Sequence, residues 1–352
     1  MALADRVREL AAEIEPADDE TAERARERHL ALLKPPGSLG RLEELGARLA
    51  GMVGLCPPPV PEDPAVVVCV GDHGVLERGV SPWPQSVTAA MVRNFCEGGA
   101  AVNAIARTIG ARVAVLDVGV ASELGRHPRL RTAKRRLGTG DLSRGPAMSR
   151  EEAAGAVMSG AGVVEELIGS GVDLLVTGDM GIGNTTPASA VISAFTGRPP
   201  VETTGRGTGI DDETMKTKIA VIEEALKLHR PDPEDPLGVL AAVGGLEHAA
   251  IAGVVLAGAI HGVPVVLDGV VSNSAALVAS ALAPDCLGYT IAGHVSAEPG
   301  AAVALEHLGL EPLLDLDMRL GEGTGGLLAV PLVRTAARVL GEMATLEEAG
   351  IG

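Results

Sequence analysis

Four short runs rich in β-branched residues, Ala65–Val70, Arg112–Val118, Val172–Thr177 and Val263–Leu267, are separated by long stretches with helical periodicity. Each run is a continuous apolar block rather than an alternating one, as expected of parallel strands covered on both faces. The helical stretches lie near residues 86–109, 149–169, 186–196, 211–228, 246–261, 272–282 and 298–309. This alternation predicts an α/β fold built on a doubly wound, mainly parallel sheet. Ligands of such sheets bind outside the carboxyl ends of the strands, so the loops that follow the four runs are the first places to look for chemistry. With one Trp, one Tyr and two Phe in 352 residues, the core must be built from Ala, Val, Leu and Ile. A hydrophobic fraction of 46% excludes a disordered chain.

The flanks read differently. Residues 1–33 read as helical, a break follows at Lys34-Pro35-Pro36-Gly37, and Ser38 is the expected N-cap of a helix over Leu39–Met52. Five prolines between Cys56 and Pro64 resemble a linker. Ser149 and Glu152 form a capping-box pattern at the start of the 149–169 helix. Lys and Arg number 29 against 46 Asp and Glu, a net charge of −17, which argues against nucleic acid as a partner. The charged first ten residues carry no apolar signal region, and the most apolar stretch, Ala249–Leu267, is interrupted by His261 and Pro264, so no membrane span is expected. The four cysteines form no CxxC pair and show no metal spacing, which predicts a reduced, cytoplasmic protein.

Four loops carry candidate chemistry. In Gly178–Pro187 the glycines serve either a tight turn with positive φ or a cradle of backbone N–H groups for an anion at a helix N-terminus, with Thr186 the expected N-cap and Pro187 in the first turn. No Gly-Lys-Ser/Thr and no GxGxxG is present, so neither a P-loop nor a dinucleotide fingerprint applies. Gly205-Arg206-Gly207-Thr208-Gly209, followed by a helix with Lys216 and Lys218, is a candidate anion clamp in an acidic chain. The acidic run Asp211-Asp212-Glu213 after it reads as a helix N-terminus rather than a ribose-diphosphate signature. In Arg319–Gly326 the lone carboxylate of Glu322 sits among glycines, either as a turn residue or as a general base. Val80–Gln85 holds the only tryptophan between prolines, either plugging a loop or gripping a flat heterocycle. Asp72-His73 reads as structural, because no HxH, HExxH or Cys cluster supports a metal site.

Together these segments resemble one family. Lys34-Pro35-Pro36-Gly37-Ser38-Leu39-Gly40-Arg41-Leu42-Glu43, Gly71-Asp72-His73-Gly74-Val75, the Gly178–Thr186 loop, Leu267-Asp268-Gly269 and Arg319–Gly325 occur in the same order in nicotinate-nucleotide:5,6-dimethylbenzimidazole phosphoribosyltransferases, from about residue 30 to about 340. The resemblance implies transfer of the phosphoribosyl group of nicotinate mononucleotide to a benzimidazole-type base, with inversion at the anomeric carbon, in assembly of the cobalamin nucleotide loop. It implies no cofactor and no metal. It makes Glu322 the general base and assigns nucleotide binding to Asp179, Gly181, Gly183, Asn184, Thr185, Gly205, Gly207, Lys218 and Ser296. Ser81, Trp83 and Gln85 would line the base pocket. A homodimer is implied, with a Rossmann-like large domain over 61–326 and a small helical domain from residues 1–60 and about 327–352. Asp179 stands where the family often has Glu, and Trp83 where Tyr is expected. The alternatives are a catalytically silent mononucleotide-binding regulatory protein and a nucleotide hydrolase.

Overall fold

The computed structural model describes residues 2–351. The chain opens with α1 (Leu3–Ala12), α2 (Asp19–Ala31) and α3 (Arg41–Val53). It continues through β1 (Pro64–Gly71), α4 (Ser86–Glu97), α5 (Ala101–Ile109), β2 (Arg112–Gly119), β3 (Leu130–Thr132) and α6 (Arg150–Gly169). Next come β4 (Leu174–Met180), α7 (Thr185–Thr196), α8 (Pro200–Thr203), α9 (Asp212–His229), α10 (Pro236–Val243), α11 (Leu246–Ile260), β5 (Val265–Leu267) and α12 (Val270–Leu282). The chain closes with β6 (Thr290–Ala292), β7 (His294–Val295), α13 (Pro299–Leu308), β8 (Leu314–Asp315) and α14 (Thr324–Glu342).

Six strands form one parallel sheet in the order β3-β2-β1-β4-β5-β6, and β7 and β8 form a separate parallel pair. The chain winds from β1 outward to β3, then returns to β4 and winds the other way to β6. The direction therefore reverses between β1 and β4, and their carboxyl ends splay apart into the crevice where doubly wound sheets bind ligands. Every residue of β1 is buried, which explains why that run shows no alternation. Neighbouring residues of β4 point to opposite layers: the Thr177 hydroxyl donates to Ser272 Oγ of α12 at 2.8 Å, whereas Gly178 abuts the backbone at Glu322, just before α14.

The scarcity of aromatics is answered by backbone-to-backbone packing. α11 is buried on all sides apart from its last residue and lies directly on α6. A Cβ at Gly160 would overlap the Ala250 carbonyl oxygen, and one at Gly253 would overlap that of Val157. Two glycines, one from each helix, thus let the helices meet without bulky side chains between them.

The start of the chain is broken where the sequence read one helix. Residues 1–33 form α1 and α2, and Asp18 begins the second by accepting from Thr21 N–H at 2.9 Å. The Ser38 N-cap is corrected too: α3 starts at Arg41 behind Gly40, and the Glu43 carboxylate reaches back to Leu39 N–H at 3.0 Å and Lys34 Nζ at 2.7 Å. The 86–109 stretch divides into α4 and α5 at Gly98-Gly99. The third strand runs three residues beyond its expected end, to Met180, because Gly178 and Asp179 still pair with β1. Strands β3 and β6 are three residues each, too short to leave a pattern. The Ser149–Glu152 capping box is present. α2 and α3 pack against each other and against α14, and Leu32 bridges Thr345, so the two ends of the chain meet; α1 lies apart from them, on α6.

Candidate active site

A cleft of ≈ 770 Å³, measured out to its open mouth, lies at the carboxyl end of β4. Its floor is the turn from Asp179 to Thr185, and its walls come from Arg206–Thr208, Ser296–Glu298 and Arg319–Gly321. The floor exists because Gly181 crosses directly over the end of β1: a Cβ there would overlap the Gly71 carbonyl oxygen. Behind that crossing, His73 Nε2 is 2.6 Å from the Glu247 carboxylate, which also lies 3.0 Å from His248 Nδ1, with all three side chains shut off from solvent. Among the described residues no group of three or more His, Cys, Asp and Glu side chains is placed to hold a metal ion.

One end of the cleft is built for an anion. Lys218 of α9 is almost fully buried, and its ammonium donates to Thr185 Oγ1 at 2.7 Å and the Gly205 carbonyl at 2.9 Å. Burial lowers its pKa to about 8, against the pull of Glu298. The Glu298 carboxylate accepts from Gly207 N–H at 2.7 Å, and the Ser296 hydroxyl accepts from Glu298 N–H at 3.3 Å. Arg319 donates to the Gly207 carbonyl at 2.8 Å, and Arg206 is held by Ile210 O and Asp212. Two guanidinium groups, one ammonium and a glycine-rich backbone thus converge in a chain of strongly negative net charge, an arrangement suited to a phosphate.

The adjoining part of the floor is acidic. Asp179 is buried, and Asn184 Nδ2 donates to its Oδ2 at 2.8 Å. Burial, with Asp268, Glu247 and Glu322 nearby, holds the Asp179 carboxyl well above the usual carboxylate range. Glu322 is 5% exposed, directly beyond Gly321 in the cleft wall, and its Oε2 accepts from Val102 N–H at 3.3 Å, at the start of α5. Burial raises its pKa, and Asp268 adds to the rise. A carboxylate made more basic and placed next to an anion cleft is suited to accept a proton.

Asp179, Gly181, Gly183, Asn184, Thr185, Gly207, Lys218, Ser296 and Ser81 all line this cleft. Gly205 lies just outside the lining and holds Lys218 through its carbonyl. Trp83 is 51% exposed, and it and Gln85 stand outside the cleft wall that Ser81 enters. The Thr186 N-cap is corrected: α7 begins at Thr185 behind Asn184, whose amide is spent on Asp179. Pro187 still falls in the first turn, where its missing N–H leaves no bond unmade. The sequence reading missed Glu298 altogether and gave Arg319 and Asp268 no role, although Asp268 follows a strand directly and Arg319 opens the glycine-rich run.

A glycine-lined anion cleft at the switch point of a doubly wound sheet, with a basic carboxylate beside it, defines the class: residues 14–351 match the family model described as a phosphoribosyltransferase. Within that class, a relative from Salinispora tropica, a nicotinate-nucleotide--dimethylbenzimidazole phosphoribosyltransferase, is 55% identical over 97% of both chains. One of the same name from Chloroflexus aggregans is 56% identical over 96% of both. The crystal structure of a nicotinate-nucleotide-dimethylbenzimidazole phosphoribosyltransferase from Thermus thermophilus superposes with a TM-score of 0.90 at 48% identity, covering 95% of this chain and 99% of that one. The chain belongs to the nicotinate-nucleotide–dimethylbenzimidazole phosphoribosyltransferase family. No helix among the described residues is long and apolar enough to cross a membrane.

Proposed function

We propose that this enzyme transfers the 5-phosphoribosyl group of nicotinate mononucleotide to 5,6-dimethylbenzimidazole, or a closely similar base, giving α-ribazole 5′-phosphate and nicotinate. The observation that carries the reading is a cleft lined by cationic groups with the basic carboxylate of Glu322 buried directly behind its wall at Gly321. Lys218, Thr185, Gly207 and Ser296 hold the phosphate, with Gly205 fixing the lysine. The floor from Asp179 through Gly181, Gly183 and Asn184 seats the ribose and nicotinate. The base enters past Ser81, with Trp83 and Gln85 at the rim.

One ring nitrogen of the base attacks the anomeric carbon as the bond from that carbon to nicotinate breaks. Attack from the face opposite the leaving group inverts β to α. The N–H of the second ring nitrogen becomes acidic as positive charge develops on the azole, and Glu322 takes that proton. The proposal extends to a cytoplasmic homodimer in which residues 1–60, apart from α1 on α6, and about 327–352 form a small helical domain beside the 61–326 domain. Light scattering is then expected to give twice the mass of one chain, and a monomer mass counts against that assembly.

The test is to incubate the protein with nicotinate mononucleotide, with and without 5,6-dimethylbenzimidazole, and to resolve products by chromatography and mass. Base-dependent nicotinate release with a ribazole phosphate product is expected. Equal release without base would make the enzyme a hydrolase, and saturable mononucleotide binding without turnover on any base would make it a silent binder.

A further inference from the structure

In the family-like segment Leu267-Asp268-Gly269, Gly269 lines the cleft while Asp268 stands outside its lining. Asp268 is fully buried at the junction of β5 and α12. Its Oδ1 accepts from Gly325 N–H at 2.8 Å and Gly326 N–H at 3.0 Å, and its Oδ2 accepts from Gly323 N–H at 3.1 Å. These are N–H groups at the start of α14 that have no partner within the helix, and the helix's own N-cap, Gly323, has no side chain to offer them. We propose that Asp268 is the positioning residue of the transfer reaction: by capping α14 from a different element, it fixes the 321–323 turn and so aims the Glu322 carboxylate. The inference rests on the reading of Glu322 as the base.

The turn needs such a clamp. Gly321, Glu322 and Gly323 have φ of +83°, +65° and +90°, three left-handed residues in succession. For glutamate this conformation is strained, and it persists only where the surroundings over-determine it. The other ties of the turn's backbone are Glu322 N–H to Asp179 O at 3.2 Å, Thr324 N–H and hydroxyl to Gly321 O at 3.1 and 2.8 Å, and Leu327 N–H to Gly323 O at 3.0 Å. To these the Asp268 carboxylate adds three charge-assisted bonds, one accepted from Gly323 in the turn itself and two from Gly325 and Gly326 just behind it.

Asp268 also places a negative charge near Glu322. The other groups facing that carboxylate are Asp179 from β4 and the N-terminal N–H groups of α5, while His294 from β7 lies 3.5 Å from Asp268 and Glu247 of α11 stands beyond Asp179. Removing the Asp268 charge therefore makes Glu322 easier to ionise.

The experiment compares Asp268→Asn, Asp268→Glu, Glu322→Gln and the Asp268→Asn/Glu322→Gln double variant with wild type, each checked for folding by circular dichroism. Folded Asp268→Asn is expected to lose about 10–100-fold in kcat with KM for nicotinate mononucleotide within about 3-fold. The acid limb of its kcat/KM profile is expected at lower pH than in wild type. Asp268→Glu keeps the charge but mislays the oxygens, so kcat falls while the limb stays in place. In the Glu322→Gln background Asp268→Asn is expected to add little, because the two act through one group.

A folded Asp268→Asn enzyme with wild-type kcat overturns the proposal. So does one whose loss is repeated in full in the double variant with the acid limb unmoved, which is the mark of a merely structural role. Should Asp268→Asn fail to fold, Asp268→Glu decides: a kcat loss at unchanged KM supports the proposal, and an unchanged kcat overturns it. Wild type assayed alongside separates the two readings, since no turnover there on any base sinks the proposed function, whereas turnover insensitive to Asp268 sinks only this inference.

Discussion

Replacing Glu322 with Gln is expected to lower kcat by about 10²–10⁴-fold while leaving KM for nicotinate mononucleotide near its wild-type value. Glutamine keeps the shape and the acceptor facing Val102 N–H, but it cannot take the azole proton. In the proposed binding mode Lys218 and the Gly207 loop, rather than Glu322, hold the phosphate of the mononucleotide, so its binding should barely change. The residual rate should also lose its acid limb. In wild type that limb lies above 4.5, the ordinary value for glutamate, because burial and the Asp268 charge raise the Glu322 pKa. The substitution should not cost stability near neutral pH: a carboxyl whose pKa is raised by folding opposes the folded state once it ionises, so removing it relieves that opposition. Steady-state rates from pH 5 to 9, with thermal melts of both proteins, check this, and a variant with full kcat would remove Glu322 from the chemistry.

Glu247→Gln is expected to lower stability by about 3–5 kcal/mol, the usual cost of removing one partner from a buried ion pair. The carboxylate lies between His73 and His248 with no solvent contact. Burial alone would raise its pKa, but the two imidazoles outweigh burial and bring it down to about 2. Burial likewise works against charge on His73, yet Glu247 outweighs it and raises that pKa. The two shifts set the pH window. The carboxylate's contribution is complete above 4.5 and fades as pH falls toward about 2; the imidazolium's contribution is complete below 6.5 and fades as pH rises through its raised folded value. The gap between wild type and variant should therefore be widest between pH 4.5 and 6.5 and narrow at higher pH. Urea midpoints at pH 5.5, 7 and 9 read this directly, and a gap that does not vary with pH would show that the pair is not ionised. Because His73 abuts Gly181, the variant should also bind mononucleotide more weakly.

How far the sequence could be read follows from how local each signal is. β1 and β2 were visible because burial on both faces leaves an unbroken apolar run, and the 149–169 helix because its capping box is written in two residues three apart. Gly178-Asp179 read as loop although they pair with β1, since glycine and aspartate carry no strand signal and the pairing is made by a partner far away in the chain. At the site, the glycine runs were legible in the sequence, which left Glu322 open between a turn residue and a base until the family resemblance implied the latter. Glu298 was not, because an acid in an anion cleft makes sense only once it is seen accepting from Gly207 N–H, 91 residues back along the chain. Asp268 belongs to a family-like segment yet shows no task in the sequence for the same reason: its bonds go to a helix that begins more than fifty residues later.

The near absence of aromatic rings has an optical consequence. Trp83 is the chain's only indole, half in solvent and outside the cleft wall, with its backbone N–H 3.3 Å from the hydroxyl oxygen of Ser81, which enters the wall. Light at the red edge of protein absorption excites this one group, so any change in emission on adding mononucleotide or base reports the Val80–Gln85 loop without background from the core. The fold carries its own single-site fluorophore two residues from the cleft-lining Ser81, and a response to ligand can be sought in the unlabelled wild-type protein.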